Sequence, residues 1–333
     1  MRLHTNIELF KDAVSATSQR KGIQEIFIEK DYWVTLILKT VFENEIGKEI
    51  IFKGGTALSK CNSLIKRFSE DIDLVILRNS EETGNQLKKK LKTISKCVEQ
   101  VIPEIKIEGI TNKKGMIRKT SHSYEKQFSG KFGQIRNFIV IESSWLGNYE
   151  PYEKGMVSSM IYEIMKETGQ QKLIDDYEMN PFEVNALSPK RTFCEKIMSL
   201  VRFSNSDNPI NDLRNKIRHI YDIHILLKDD VVNAFFNSID FDIMLQAVGN
   251  NDIQSFKNNN EWLKEHPVSA IIFDKPEFIW EQLENIYNTG LKELVYGEFP
   301  ADNEILETLE IVSERLRKIE WKIKLREPNS KTF

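Results

Sequence analysis

Residues 52–74 read Phe52-Lys53-Gly54-Gly55-Thr56-Ala57-Leu58-Ser59-Lys60-Cys61-Asn62-Ser63-Leu64-Ile65-Lys66-Arg67-Phe68-Ser69-Glu70-Asp71-Ile72-Asp73-Leu74. The apolar run just before the glycine pair, residues 50–53, predicts a buried strand that feeds a turn. Thr56 is placed to cap a helix running to about residue 65. Residues 71–77 alternate and are rich in Ile, Leu and Val, so they predict the next strand. Asp71 and Asp73 are two residues apart, and on a strand such residues point to one side. Two carboxylates so placed suit a pair of divalent cations about 4 Å apart. Mg²⁺ takes hard oxygen ligands and keeps substrate phosphates in its shell. Gly54-Gly55 is the companion part, because a turn without side chains lets phosphate approach the backbone. The order strand, Gly-Gly, helix, strand with Asp-x-Asp therefore points to a nucleoside triphosphate held beside metal ions. The plainer alternative is an ordinary turn followed by two surface acids.

Outward from this block, helices are expected over residues 7–21, ending at Gly22, and over residues 24–42, which carry Glu29-Lys30-Asp31-Tyr32-Trp33. Residues 80–101 predict a lysine-rich helix stopped before Pro103. Residues 105–108, 116–128 and 135–142 look like strands completing a mixed sheet, with Asn112, Gly115, Gly130 and Gly133 in turns. Residues 182–187 suggest one more strand. After Ser188-Pro189 the strand signals fade. Helices are expected over 190–203, 211–227, 239–248, 275–296 and 303–325, separated by polar clusters at 205–208 and 249–252. The division expected is an α/β half, residues 1–187, and an all-helical half, residues 188–333.

The chain has 333 residues, 40% hydrophobic and 29% charged, which is ordinary for a globular protein with real cores. No apolar run approaches the roughly 18 residues a bilayer span needs, and the N-terminus lacks a signal-peptide core, so the cytoplasm is the expected location. Cys61, Cys97 and Cys194 are widely spaced and read as inert thiols. His219 and His224, five apart, lack ligand spacing on a helix. Net charge is −3, yet residues 84–140 hold thirteen Lys/Arg and four Asp/Glu, a local +9 against −12 elsewhere. Residues 185–220 hold seven Lys/Arg and three Asp/Glu, among them Arg202, Arg214, Lys216 and Arg218. Such basic stretches fit a nucleic-acid phosphate track, with solvated lysine faces as the bland alternative. Tyr124, Phe128 and Phe132, interleaved with Lys126 and Lys131, are candidates for stacking on unpaired bases, although core packing is the commoner fate of aromatics.

The block Gly-Gly-Thr-Ala-Leu followed by Arg67-Phe68-Ser69-Glu70-Asp71-Ile72-Asp73-Leu74 resembles the nucleotidyltransferase toxins of the AbiEii/AbiGii type, which include the MenT toxins. The Glu29–Trp33 helix is similar to the N-terminal signature of that family. The resemblance implies an α+β, polymerase-β-like nucleotidyltransferase domain, with a mixed sheet flanked by helices, followed by a C-terminal helical domain. It implies Asp71 and Asp73 as metal ligands and a third carboxylate on a neighbouring strand, for which Glu142 is the best match. Many members carry aspartate there. Gly54, Gly55, Thr56 and Ser69 are the implied nucleotide contacts. Lys196, in Glu195-Lys196-Ile197, and Asp222, in Tyr221-Asp222-Ile223, match two further motifs; the family often has Arg before that aspartate. A point charge such as Lys196 suits triphosphate or pyrophosphate oxygens, and Asp222 suits holding the lysine or orienting the nucleotide. Also implied are Mg²⁺ (or Mn²⁺), a nucleoside triphosphate (GTP or CTP), an RNA acceptor such as the 3′ end of a tRNA, a cognate antitoxin and a part in abortive infection by phage. Transfer to protein or to a small molecule, and a non-catalytic nucleotide-binding module, are the rival readings.

Overall fold

The computed structural model describes residues 1–130, 135–256, 259–323 and 325. The chain divides into two compact units, Met1–Leu187 with Leu294–Gly297, and Ser188–Glu293 with Glu298–Phe333.

The first unit is built on a mixed seven-stranded sheet, an α+β arrangement. In chain order its elements are α1 (Ile7–Lys21), α2 (Glu25–Phe42), β1 (Ile50–Lys53), α3 (Gly54–Lys60), β2 (Ile72–Ile76), α4 (Gly84–Glu99), β3 (Glu104–Ile105), β4 (Ile117–His122), β5 (Ile139–Ser144), β6 (Tyr152–Val157), α5 (Met160–Glu167), α6 (Gln171–Asp176) and β7 (Phe182–Leu187). The sheet order is β3-β4-β5-β2-β1-β7-β6. The β1–β7 and β2–β5 pairs are parallel, while β1–β2, β3–β4, β4–β5 and β6–β7 are antiparallel.

Period-two alternation sorts the two faces of the sheet. Ile50, Phe52, Ile72, Leu74, Ile76, Ile139 and Ile141 join the main core, which the inner residues of α1, α2, α4 and α5 complete. Ile51, Val75 and Leu187 form a small cluster of their own. Lys53 and Asp73 share the phase of Ile51 and Val75, so they stand on the face away from the main core. α2 is buried along nearly its whole length, including the consecutive Glu29, Lys30 and Asp31. A helix buried on every side is an interior strut rather than a surface element.

The second unit is helical: α7 (Pro189–Ser204), α8 (Pro209–Arg214), α9 (Ile217–Leu227), α10 (Asp230–Phe236), α11 (Ile239–Ser255), α12 (Ile271–Asp274), α13 (Pro276–Ile286) and α14 (Asp302–Arg317). α7 begins with proline, whose missing N–H costs nothing in a first turn. Phe193 of α7 packs edge-on to Phe236, and Phe241 meets both rings. Among the described residues no helix is long and apolar enough to cross a membrane.

Several expectations need correction. The helix after the glycine pair starts at Gly54 and ends at Lys60, because Ser63, at φ 54°, turns the chain out of the helical region. Thr56 lies inside that helix and does not cap it. Residues 211–227 split into α8 and α9 at Asn215-Lys216, and residues 249–252 fall within α11. The expected helix over 275–296 ends as α13 at Ile286, beyond which the chain winds through a π turn, Tyr287–Leu291. Residues 105–108 contribute only the end of β3, since the chain turns back with Ile110 N–H donating to Ile107 O (3.2 Å). β6, α5, α6 and α10 are additions that the sequence pattern does not announce. Gly133 lies outside the described residues.

Candidate active site

Register gathers the charges that sequence order scatters. Asp73 of β2 stands directly beside Glu142 of β5. On the other side of Asp73 stands Lys53 of β1, and beyond Glu142 stands Lys119 of β4. Directly opposed residues on adjacent strands share a face. The row therefore reads Lys53, Asp73, Glu142, Lys119: two carboxylates bracketed by two cations. Glu142 lies within β5, not at a strand end. Lys119 Nζ is 3.1 Å from Glu142 Oε2.

Asp73 is a strongly perturbed acid. Burial pushes its pKa up to about 7; the neighbouring Glu142 and Asp71 charges raise it further, and Lys53 and Lys119 oppose them. Such crowding favours a cation or a proton. Asp71 lies just before β2, its Oδ1 accepting from Arg136 Nη1 at 2.8 Å. The donors are all hard carboxylate oxygens, the chemistry Mg²⁺ prefers. Among the described residues no three His, Cys, Asp or Glu side chains form a ready-made metal cage. Mg²⁺ needs no such cage, since it retains waters and substrate phosphate oxygens. Asp71, Asp73 and Glu142 therefore fit the ion in donor type and charge.

The glycine pair is shaped to this site. Gly54 sits at φ +81°, and a Cβ there would lie 2.5 Å from Asp73 Oδ2. A Cβ on Gly55 would lie 2.6 Å from Arg67 Nη2 and 3.2 Å from Ser69 Oγ. Thr56 Oγ1 donates to Asp71 O (2.6 Å) and reaches Ser69 Oγ (2.9 Å). Thr56 thus ties the first turn of α3 to the chain carrying Asp71, a role different from capping. Gly54, Gly55, Thr56, Ser69, Asp71, Asp73 and Glu142 come together in the first unit.

Lys196 of α7 and Asp222 of α9 come together in the second unit. Lys196 Nζ lies 2.6 Å from Asp222 Oδ2, and both side chains are buried. His224 is buried against Thr308, with Nδ1 and Oγ1 2.7 Å apart.

Sequence reasoning misses five participants. Lys53 carries a weak signal, a lysine closing an apolar run. Lys119 has none, because only the β4–β5 register places it. Arg136 and the buried Lys30–Glu70 pair behind it are equally silent, since a lysine within a helix ordinarily points to water. The stacking reading meets a correction: Tyr124 is buried and stacks on Trp33, ring centroids 5.8 Å apart, and Phe128 packs against the core. Lys131 and Phe132 lie outside the described residues. Lys88, Lys89, Lys92 and Lys96 of α4 are exposed, while Lys90 pairs with Glu49 and Glu82. Arg202 lies over the rings of Phe203 and Phe256, 4.6 and 4.1 Å from their centroids.

Comparison with known proteins supplies the family. No curated protein matches the sequence. A solved structure, the nucleotidyltransferase toxin MenT4 from Mycobacterium tuberculosis H37Rv, aligns over 90% of this chain and 98% of its own, at 12% identity and a TM-score of 0.48. Residues 36–310 match the family model described as nucleotidyl transferase AbiEii toxin, type IV TA system. With most of its length matched, the chain belongs to the AbiEii family of nucleotidyltransferase toxins of type IV toxin–antitoxin systems.

Proposed function

We propose that the protein transfers a nucleoside monophosphate from a nucleoside triphosphate, GTP or CTP, to a hydroxyl of RNA, with the 3′ end of a tRNA as acceptor. The observation that carries this reading is the lateral row of Asp73 and Glu142, with Asp71 one step away and Gly54 pressed against Asp73. Asp71 and Asp73 would hold Mg²⁺ (or Mn²⁺), with Glu142 beside them. The ion, when bound, neutralises triphosphate charge and acidifies a nearby hydroxyl.

The chain's own residues do the rest. Gly54, Gly55 and Thr56 present first-turn amides that have no acceptor within a helix, and with Ser69 they hold phosphate oxygens. The acceptor oxygen attacks the α-phosphorus, the bond to the β-phosphate bridging oxygen breaks, and pyrophosphate leaves. The hydroxyl proton passes to Glu142. Lys53 and Lys119 offset the negative charge of the row. Lys196, oriented by Asp222, supports the leaving pyrophosphate. The exposed α4 lysines, within the segment of local charge +9, favour an RNA phosphate backbone over a small cationic acceptor. The family implies a cognate antitoxin; we place growth arrest and phage defence downstream of the transfer.

The test incubates the protein with Mg²⁺, each α-labelled triphosphate in turn and total tRNA, alongside Asp71→Ala and Asp73→Ala. Label in tRNA that vanishes in both variants supports the reading. Label in the protein fraction supports protein as acceptor. Tight triphosphate binding without label anywhere supports a binding module.

A further inference from the structure

Arg136 has a pinned backbone and a partly exposed head. Its N–H donates to Glu70 Oε1 (3.1 Å), and its carbonyl accepts from Lys30 Nζ. Lys30 Nζ also donates to Glu70 Oε2 and to Phe138 O, the latter at 2.9 Å. Lys30 and Glu70 are 0% and 1% exposed, while the Arg136 side chain is 38% exposed. A buried ion pair is a poor way to gain stability, because desolvating both charges offsets their attraction. Here the pair grips the backbone on both sides of one residue, whose side chain then reaches the candidate site.

The guanidinium sits where a cation is needed. Its Nη1 lies 2.8 Å from Asp71 Oδ1 and 3.7 Å from Glu70 Oε1. A divalent ion on Asp71 and a guanidinium on the same oxygen repel each other, so both cannot hold it. A displaced guanidinium beside a metal-bound triphosphate has an obvious new partner, since its planar fork matches phosphate oxygens. Resting on the metal-and-triphosphate reading above, we propose that Arg136 is a nucleotide-binding residue that holds Asp71 until the metal-bound triphosphate arrives and then exchanges the carboxylate for a phosphate oxygen. Lys30 and Glu70 are its positioning residues. The arginine would disfavour metal binding without nucleotide, making occupation of the site by ion and triphosphate cooperative.

The test measures binding, not turnover. Mn²⁺ affinity is read from the spectrum of free Mn²⁺, with and without inorganic triphosphate, for the wild type, Arg136→Gln, Arg136→Lys and Asp71→Asn. Coupled ligands typically change each other's affinity at least about fivefold. Arg136→Gln is expected to bind Mn²⁺ alone at least about fivefold more tightly, and triphosphate with Mn²⁺ at least about fivefold more weakly. Arg136→Lys, which keeps the charge and loses the fork, is expected between the two. Wild-type affinity of Arg136→Gln for either probe overturns the proposal alone. Wild-type Mn²⁺ affinity in Asp71→Asn overturns the metal reading, and the proposal with it.

Discussion

Lys30→Met tests the interior of the first unit. The methionine fills much of the lysine's volume but leaves the Glu70 carboxylate 1% exposed and without its nearest counter-ion, the Arg136 guanidinium standing 3.7 Å off. Removing one partner of a buried pair costs about 3–5 kcal/mol. For a folding unit of 150–250 residues, each kcal/mol moves Tm by roughly 2–4 °C, so the expected fall is about 6–20 °C. The deficit should depend on pH. Burial already pushes the Glu70 pKa up, against the pull of Lys30, and in the variant that pull is gone. A carboxyl whose folded pKa exceeds its unfolded value of about 4.3 contributes stability at low pH that is lost as pH rises toward the folded pKa, by about 1.4 kcal/mol per unit. The variant's deficit should therefore be smaller at pH 5 than at pH 8. Denaturant unfolding at both pH values, with Glu70→Leu and the double variant, completes a thermodynamic cycle. The double variant should recover most of the loss, because an apolar pair replaces a stranded charge. A deficit that is flat with pH, or a double variant no better than the singles, would refute the reasoning.

Gly54→Ala should lose stability by about 1–2 kcal/mol from the left-handed backbone alone, and more from the clash with Asp73, and should abolish nucleotide transfer; thermal melting and the labelling assay read both. Asp73→Asn should raise Tm at pH 8 in EDTA while ending transfer. The folded pKa of Asp73 is raised to about 7, so the stability its protonated form confers is lost progressively as pH rises from the unfolded value of about 3.9 to about 7; melting at pH 4 and 8 should show the asparagine gain chiefly at the higher pH. Glu142→Gln should cut turnover by about 10²–10⁴-fold, the usual worth of a general base, with little change in triphosphate affinity; a proportionate loss of affinity would argue against a base role. Lys196→Met should destabilise the helical unit by about 3–5 kcal/mol in denaturant unfolding, by breaking its buried pair with Asp222.

The strands most visible in the sequence are those whose inner runs are closed by punctuation. β1 stops at Gly54-Gly55 and β7 at Ser188-Pro189, and those signals place both. β6 is invisible because it lies at the sheet edge with Val157 as its one buried residue, so it carries no alternation to read. Asp71 and Asp73 are legible because their relation is local. Glu142 is reached through family resemblance, and its place beside Asp73 is a matter of register between β2 and β5. Lys119 and Arg136 are set by contacts 23 and 65 residues away in sequence, to Glu142 and Asp71, which no local pattern encodes. Lys30 is hidden because burying a lysine contradicts its usual habit.

The short return of Leu294–Gly297 to the first unit carries a consequence for how the toxin is made. Phe68 N–H donates to Leu294 O (2.8 Å), Arg67 bridges to Val295, and the N–H groups of Tyr296 and Gly297 donate to Lys66 O (3.0 and 3.2 Å). The residues leading into Ser69-Glu70-Asp71 are thus fastened by a segment translated long after β7. At synthesis rates of about 5–20 residues per second, the ribosome needs roughly 5–20 s to pass from the end of β7 to that segment. A nascent chain arrested before it would carry Asp71, just ahead of β2, on an unfastened segment. A prematurely terminated toxin would then be poorly armed, and residues 1–187 alone would be a poor substitute for the intact unit.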